Sequence, residues 1–258
     1  MPNASPSAQH LARDTRMTSE IEAVTVTTRP FTAPWLEAVH VNGRSALAAK
    51  VADSEGIEPV FRDTAHTILP VEFQGREILF EAHAYEDDSA SYQAMALVHQ
   101  PDKSSDELPI VRLHSGCVTG DIFHSLRCDC YPQLQKAIDR VVNSPKGAII
   151  YLPHHEGRGI GLVAKIKAYA EQDRGLDTVD ANLSIGAPVD ARDYELAAKI
   201  LKDLGFNEIR LLTNNPLKVE ALQKHGITIV EQIQHATSPS AHNARYLATK
   251  KERMAHKL

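Results

Sequence analysis

The sequence predicts an α+β fold, in which a β-rich N-terminal half leads into alternating helices and strands around a partly parallel sheet. Between about residue 57 and residue 113, short apolar runs alternate with turn residues, a pattern typical of strands. After Cys130, apolar residues at helical spacing alternate with short apolar runs. The links between these strands and helices are short, which favours parallel pairing in the second half.

Each element follows from its local pattern. Helices are predicted where apolar residues recur every three or four positions, and strands where apolar runs lie between turn residues. Gly205 and Gly226 stand where a left-handed residue commonly ends a helix. The predicted strands are 71–73, 77–80, 92–97, 110–113, 148–152, 208–212 and 227–230. The predicted helices are 134–142, one marked by Leu162, Ile166 and Tyr169, 196–204 and 216–224.

Composition narrows the classes of protein. The 258 residues are 43% hydrophobic and 24% charged, close to the averages for globular proteins. A net charge of −5 argues against a nucleic-acid-binding face. No apolar run approaches the roughly 20 residues that span a membrane, so we expect a cytoplasmic protein. We expect a disordered tail at 1–20, an N-terminal extension of unknown role at 21–60, and a catalytic domain at 61–258.

The three cysteines, Cys117, Cys128 and Cys130, lie within fourteen residues. An odd number in one cluster disfavours a disulfide framework. Three thiolates can bind zinc and leave a fourth position open for water, as catalytic zinc sites do. Two alternatives remain open: three buried apolar cysteines, or a closed structural site completed by His114 or His124.

Three further segments lie at the starts of predicted helices. The glycine-rich segment 156–161 would let the backbone approach an anion, or would be only a tight connection. In segment 213–218, Thr213, Lys218 and helix-opening N–H groups suit a phosphate, although Pro216 also suits a simple helix start. Asp190, two residues before Arg192, could be a helix N-cap or a site residue.

These segments occur in the order found in GTP cyclohydrolase II, which the sequence resembles from about residue 112 to 231 and more weakly over 243–258. The family opens the imidazole ring of GTP, releases formate and pyrophosphate, and begins riboflavin synthesis. The resemblance implies Zn²⁺ and Mg²⁺ as cofactors, GTP as substrate and a homodimer. The stretches that carry it are RLHSGCVTGD, SLRCDC, EGRGIGL, KIKAYAEQD, DTVDAN, DARDY and NEIRLLTNNPLKVE.

The resemblance also implies roles for residues. Cys117, Cys128 and Cys130 would be the zinc ligands. Asp190 matches the family's proton acceptor and Arg192 its nucleophile, while Tyr169 would position the base or a water. A guanidinium is almost always protonated, so stabilising phosphoryl charge is the more natural role for an arginine. The implied GTP contacts are Arg112, Leu113, His114, Ser115, Gly116, Gln133, Glu156, Gly157, Arg158, Thr178, Thr213 and Lys218.

Two positions depart from the family pattern. Gly116 stands where the family usually has a glutamate, and residues 153–155 read Pro-His-His where it usually has Arg-Gln. A paralogue with another substrate or a partial reaction is therefore one alternative. A non-catalytic, zinc-stabilised nucleotide-binding protein is another. A zinc nucleobase deaminase is disfavoured, because its H-x-E and P-C-x-x-C pattern is absent.

Overall fold

The computed structural model describes residues 61–237 and Arg253. The tail and extension predicted for residues 1–60 lie outside the described residues, as does almost all of segment 243–258. In the described part, the strands are β1 (Phe61–Phe73), β2 (Arg76–Asp87), β3 (Gln93–His99), β4 (Ile110–Ser115), β5 (Gly147–Leu152), β6 (Glu208–Leu212) and β7 (Thr228–Ile233). The helices are α1 (Cys130–Val142), α2 (Leu162–Asp173), α3 (Thr178–Ser184), α4 (Glu195–Asp203) and α5 (Pro216–Lys224).

The described strands form one mixed sheet, in the order β1-β2-β3-β5-β4-β6-β7. The pairs β1–β2, β2–β3 and β3–β5 are antiparallel. The pairs β5–β4, β4–β6 and β6–β7 are parallel. The predicted α+β class with a partly parallel sheet is therefore confirmed. In the described part, no helix is both long and apolar enough to cross a membrane.

Hydrophobic packing covers both faces of the parallel strands. On one face, Val111 and Leu113 of β4 pack with residues of α4 and α5. On the other face, Ile110 of β4 packs against α1 through Ile138 and Val141. Because side chains alternate along a strand, Arg112 and His114 lie on the same face as Ile110, the side covered by α1.

Strands β1 and β2 are much longer than the predicted strands 71–73 and 77–80, and two helices also differ from the sequence prediction. Helix α3 was not predicted, because its seven residues contain few apolar positions, although Asp177 caps it by accepting from the N–H groups of Val179 and Asp180. Helix α2 exists as predicted, but Leu162 and Ile166 are exposed while Lys165 and Ala168 are buried. The inner face of α2 is therefore not its most apolar face.

Candidate active site

The candidate site lies at the carboxyl ends of the four parallel strands, where ligands commonly bind in open α/β sheets. Strand β4 ends at Ser115, just before Gly116 and Cys117. Strand β5 leads into a short 3₁₀ segment, Pro153–Arg158. Strand β6 leads to Thr213 and β7 leads to His235. The topology thus brings together segments that are up to 120 residues apart, from Ser115 to His235.

The cysteine cluster (Cys117, Cys128 and Cys130) lies at one end of this site. The three sulfur atoms lie within 4.8 Å of one another, and the Cys117 and Cys128 sulfur atoms are 3.7 Å apart. Two thiolates bound at about 2.3 Å to a tetrahedral zinc lie roughly 3.8 Å apart. Gly120 allows this approach, because an added Cβ would lie 2.9 Å from the Cys128 sulfur and 3.0 Å from that of Cys117. The donor set and its spacing fit a zinc ion.

Protons are shared within the cysteine cluster. Hydrogen bonds from Cys128 and Cys130 hold the pKa of Cys117 far below its usual range, with a further contribution from Lys165. The same contact with Cys117 raises the pKa of Cys128 to about 11 and raises that of Cys130. Cys117 is therefore the thiol that carries negative charge most readily.

The two histidines considered as fourth ligands have other partners. The His114 Nε2 atom lies 3.0 Å from Asp121 Oδ1, and the ring stacks on Tyr151. The His124 ring stacks on Tyr131. Within residues 61–237, no histidine, aspartate or glutamate joins the group formed by the three cysteines. A metal ion held by the three cysteines would therefore keep a coordination position open.

Lys165 of α2 is the contact with the cluster that the sequence prediction missed. Its Nζ donates to the Cys117 sulfur at 3.0 Å and to Glu156 Oε1 at 2.6 Å. Burial acts to lower the pKa of Lys165, but these two hydrogen bonds outweigh it and hold the pKa above its usual range. Glu156, predicted to contact GTP, accepts from Lys165 and from the N–H of Val118 at 2.6 Å; its contact with GTP stays a prediction.

A pocket opens beside the cysteine cluster and is strongly cationic. No aspartate or glutamate is among its lining residues in the described part. Asp190, Glu156 and Leu113 are the predicted site residues that do not line it. The cationic side chains that line it are Arg112, Arg158, Lys165, Arg192 and Lys218, and the other predicted residues that line it are His114, Ser115, Gly116, Gln133, Gly157, Tyr169, Thr178 and Thr213.

Arg192 reaches the pocket with Asp190 behind it. Its Nε donates to Asp190 Oδ1 at 2.9 Å, and NH1 lies 3.4 Å from the Ser115 hydroxyl. Burial alone would raise the pKa of Asp190, but the hydrogen bonds from Arg192 lower it below the usual range. Asp190 does not cap α4; the residue before that helix is Tyr194, which makes no side-chain cap bond.

Ser115 also meets one of the two unusual histidines. The Ser115 hydroxyl lies 3.2 Å from His155 Nδ1, and His155 Nε2 lies 2.7 Å from the Asp193 carbonyl. Because a carbonyl only accepts, Nε2 carries the proton in this arrangement, and Nδ1 accepts from Ser115. Burial lowers the pKa of His155 to about 3, so this ring is neutral. His154 points elsewhere and stacks on Tyr92.

The guanidinium of Arg112 bridges β6 and α1. It donates to the Leu212 carbonyl at 2.9 Å and to Gln133, and burial lowers its pKa to about 10. Leu113 has a fully buried side chain, and its contribution is a carbonyl that accepts from Lys218 at 2.8 Å. Lys218 follows Asn215, which caps α5, so segment 213–218 both starts a helix and lines the pocket.

Helix α2 contributes more than Tyr169 to the pocket. Lys165, Ala168, Tyr169 and Gln172 all line it and lie at i, i+3, i+4 and i+7, on one face of the helix. The guanidinium of Arg127 lies 4.4 Å from the centre of the Tyr169 ring. Helical spacing from the predicted Tyr169 was the signal that would have found the other three.

Gly116 has no room for a side chain. A Cβ at this position would lie 2.9 Å from Pro153 Cα and 3.1 Å from the Leu152 carbonyl oxygen. The Gly116 N–H donates to that carbonyl at 2.9 Å. Gly116 and Pro153, the two positions that depart from the family pattern, are thus packed against each other.

Comparison with known proteins identifies the family. Residues 62–234 match the family described as GTP cyclohydrolase II. GTP cyclohydrolase-2 from Streptomyces coelicolor is 50% identical over 179 residues, covering 69% of this chain and 80% of that protein. Riboflavin biosynthesis protein RibBA from Salinispora arenicola is 48% identical over 183 residues, covering 71% of this chain and 43% of that protein. The chain thus spans less than half of the latter relative. Because the family match and the Streptomyces coelicolor relative each cover about two thirds of it, the chain belongs to the GTP cyclohydrolase II family of hydrolases.

Proposed function

We propose that this chain opens the imidazole ring of GTP by hydrolysis and releases formate and pyrophosphate, which begins riboflavin synthesis. The observation that carries the proposal is the composition of the pocket. Three cysteine sulfur atoms at metal-ligand spacing lie beside five cationic side chains, and no described carboxylate lines the pocket. A cationic lining suits a triphosphate, and a metal held by the cysteines would activate water for a hydrolytic ring opening.

Cys117, Cys128 and Cys130 would hold one zinc ion per subunit. Bound zinc supplies a Lewis acid that activates water. Mg²⁺ would enter with the triphosphate, because it prefers carboxylate and phosphate oxygens and the described lining offers no carboxylate. The zinc site and the cationic side chains would thus serve different parts of one nucleotide.

Arg192 would bind the phosphate at which pyrophosphate leaves. Asp190 holds its guanidinium from the side away from the pocket, so the charge is fixed in place before the substrate binds. Such preorganised charge stabilises a phosphoryl-transfer transition state. The contact with Arg192 keeps the pKa of Asp190 low, so Asp190 stays ionised and orients this arginine.

We further propose that two copies of the chain form a homodimer. Large apolar side chains are exposed on α2 and on the turn that precedes the second cysteine, and such patches commonly mark protein interfaces. The exposed fractions are 71% for Val163 and 74% for Phe123, and Leu162, Ile166, Ile122 and Leu126 are exposed as well. Light scattering of wild type and Val163→Glu tests this: a wild-type mass of one chain would contradict the dimer, and an unchanged dimer mass in the variant would contradict this interface. The cytoplasmic location expected from the sequence stays a prediction.

The test of the activity measures both products. The protein is incubated with GTP, Zn²⁺ and Mg²⁺, and formate, pyrophosphate and the remaining nucleotide are quantified by mass spectrometry. Cys128→Ser should abolish formate release and lower the bound zinc. Formate production at the wild-type rate in that variant would contradict the metal assignment.

A partial reaction or an altered substrate is the second candidate, and the packing of Gly116 favours it. The space that a glutamate side chain would need beside Cys117 is occupied by Pro153. Formate release without pyrophosphate, or turnover of another purine nucleotide but not GTP, would support this candidate. Normal zinc content with no turnover of any nucleotide would instead support a non-catalytic protein.

A further inference from the structure

Lys165 is a buried ammonium group beside the cysteine cluster. Its exposed fraction is 7%, and lysine is almost never buried without a partner. One of its partners is the Cys117 sulfur at 3.0 Å. Among residues 61–237, the described contacts of the cysteine sulfurs include no other ammonium or guanidinium group.

The position of the ammonium is held from two sides. Glu156 accepts from Lys165 through Oε1 at 2.6 Å and from the Val118 N–H through Oε2 at 2.6 Å. Gly157 leaves room for the lysine stem, since a Cβ there would lie 3.0 Å from Lys165 Cβ. Glu156 therefore fixes the cation while the adjacent glycine lets α2 approach.

The charges at the cluster explain why a cation belongs there. Three thiolates carry three negative charges and a zinc ion carries two positive ones, which leaves an excess negative charge in a buried place. An excess of thiolate charge also weakens the metal as a Lewis acid. A hydrogen bond from a cation to one thiolate reduces the electron density that this sulfur donates, and such outer contacts tune metal sites.

We propose that Lys165 is a positioning residue that neutralises the charge of the Cys117 thiolate. It thereby sets the affinity of the cysteine cluster for zinc and the Lewis acidity of the bound ion. The inference rests on the proposed function, because it requires that the cysteine cluster bind zinc. Lys165 influences the metal through its hydrogen bond to Cys117, and Glu156 does so by holding Lys165 in place. This role also explains why Glu156, in the Glu-Gly-Arg segment, is turned away from the pocket.

The test compares Lys165→Met, which keeps most of the length of the unbranched side chain and removes its charge, with Lys167→Met. Lys167 lies on the same helix and is exposed, so it is a matched control. Because Lys165→Met leaves Glu156 buried without its cation, the double variant Lys165→Met/Glu156→Gln is measured as well. The readouts are zinc affinity by competition with a chromophoric chelator and the absorption spectrum of the cobalt(II)-substituted protein.

In both Lys165 variants we expect zinc affinity to fall by about 10- to 100-fold. We also expect the sulfur-to-cobalt charge-transfer band to move to longer wavelength, because a thiolate without the N–H···S bond is oxidised more easily. Lys167→Met should match wild type in both readouts. Formate release should fall more than pyrophosphate release.

Two results separate the possible failures. If wild type binds neither zinc nor cobalt, the metal assignment itself is wrong. If wild type binds both, and the folded double variant has wild-type affinity and an unshifted spectrum, the inference is overturned. Loss of activity in that second case would mean that Lys165 contacts the nucleotide directly from the pocket wall.

Discussion

Replacing Gly120 with alanine should damage the metal site more than the fold. The added Cβ would lie 2.9 Å from the Cys128 sulfur, 2.9 Å from Cys130 Cβ and 3.0 Å from the Cys117 sulfur. Ordinary contacts begin at about 3.5 Å. Each sulfur would therefore have to move by roughly 0.5 Å, whereas metal–ligand distances tolerate only about 0.2 Å.

The expected magnitude follows from the cost of overpacking. Inserting one extra carbon into a closely packed site typically costs about 1 to 3 kcal/mol. If the cysteine cluster bears that cost, zinc affinity falls by roughly 5- to 150-fold, since each 1.4 kcal/mol is a factor of about ten. Chelator competition measures the affinity, and thermal unfolding in excess chelator measures the stability of the metal-free protein.

Gly147→Ala is the matched control. Its added Cβ would lie 2.7 Å from the Ile110 carbonyl oxygen, so it is equally crowded but sits at the start of β5, away from the cysteines. We expect this variant to lose thermal stability and keep its zinc affinity. If the zinc affinity of Gly120→Ala is within twofold of wild type while Gly147→Ala is destabilised, the inference that Gly120 is closely packed against the cysteine cluster is wrong.

Three further predictions concern other parts of the domain. His235 is 1% exposed, and burial lowers its pKa to about 3; the unfolded chain binds a proton below about pH 6.5 and the folded one does not. The free energy of unfolding therefore decreases as the pH falls from about 6.5 towards 3, by up to about 1.4 kcal/mol per pH unit. Urea titrations at two pH values should show a smaller decrease in His235→Gln than in wild type, and an equal decrease would refute the role of His235. Arg192→Gln should slow pyrophosphate release by about 100-fold, whereas Arg174→Gln, at an exposed position, is the control. A rate of Arg192→Gln within threefold of wild type would rule out phosphate binding by Arg192. Tyr85→Phe removes a 2.8 Å hydrogen bond to Asp203 and should cost about 1 to 3 kcal/mol of unfolding free energy, so an unchanged urea midpoint would contradict it.

The sequence is most informative where the residue type itself limits the chemistry. Three cysteines within fourteen residues have few common uses, and the structure brings their sulfur atoms together. The segments 156–161 and 213–218 follow predicted strands, and Gly157 and Thr213 line one pocket. Strand ends are predictable because parallel strands place their carboxyl ends at one edge of the sheet.

Predictions failed where a residue type has two opposite uses. A lysine on an amphipathic helix normally faces water, and leucine and isoleucine normally face the core. On α2 the arrangement is reversed, because the inner face lines a polar pocket: Lys165 is buried, whereas Leu162 and Ile166 are exposed. Periodicity identified the helix correctly, but it cannot tell which face of a helix meets a pocket.

The net charge of the chain does not predict the charge of its pocket. The chain carries a charge of −5, yet its pocket is lined by cations, because the acids lie behind them. Asp190 holds Arg192 and Glu156 holds Lys165, and neither carboxylate lines the pocket. Replacing either acid by its amide would leave the cations present but less firmly placed. We therefore expect Asp190→Asn and Glu156→Gln to lose activity, because Arg192 or Lys165 would keep its charge but no longer be held in position.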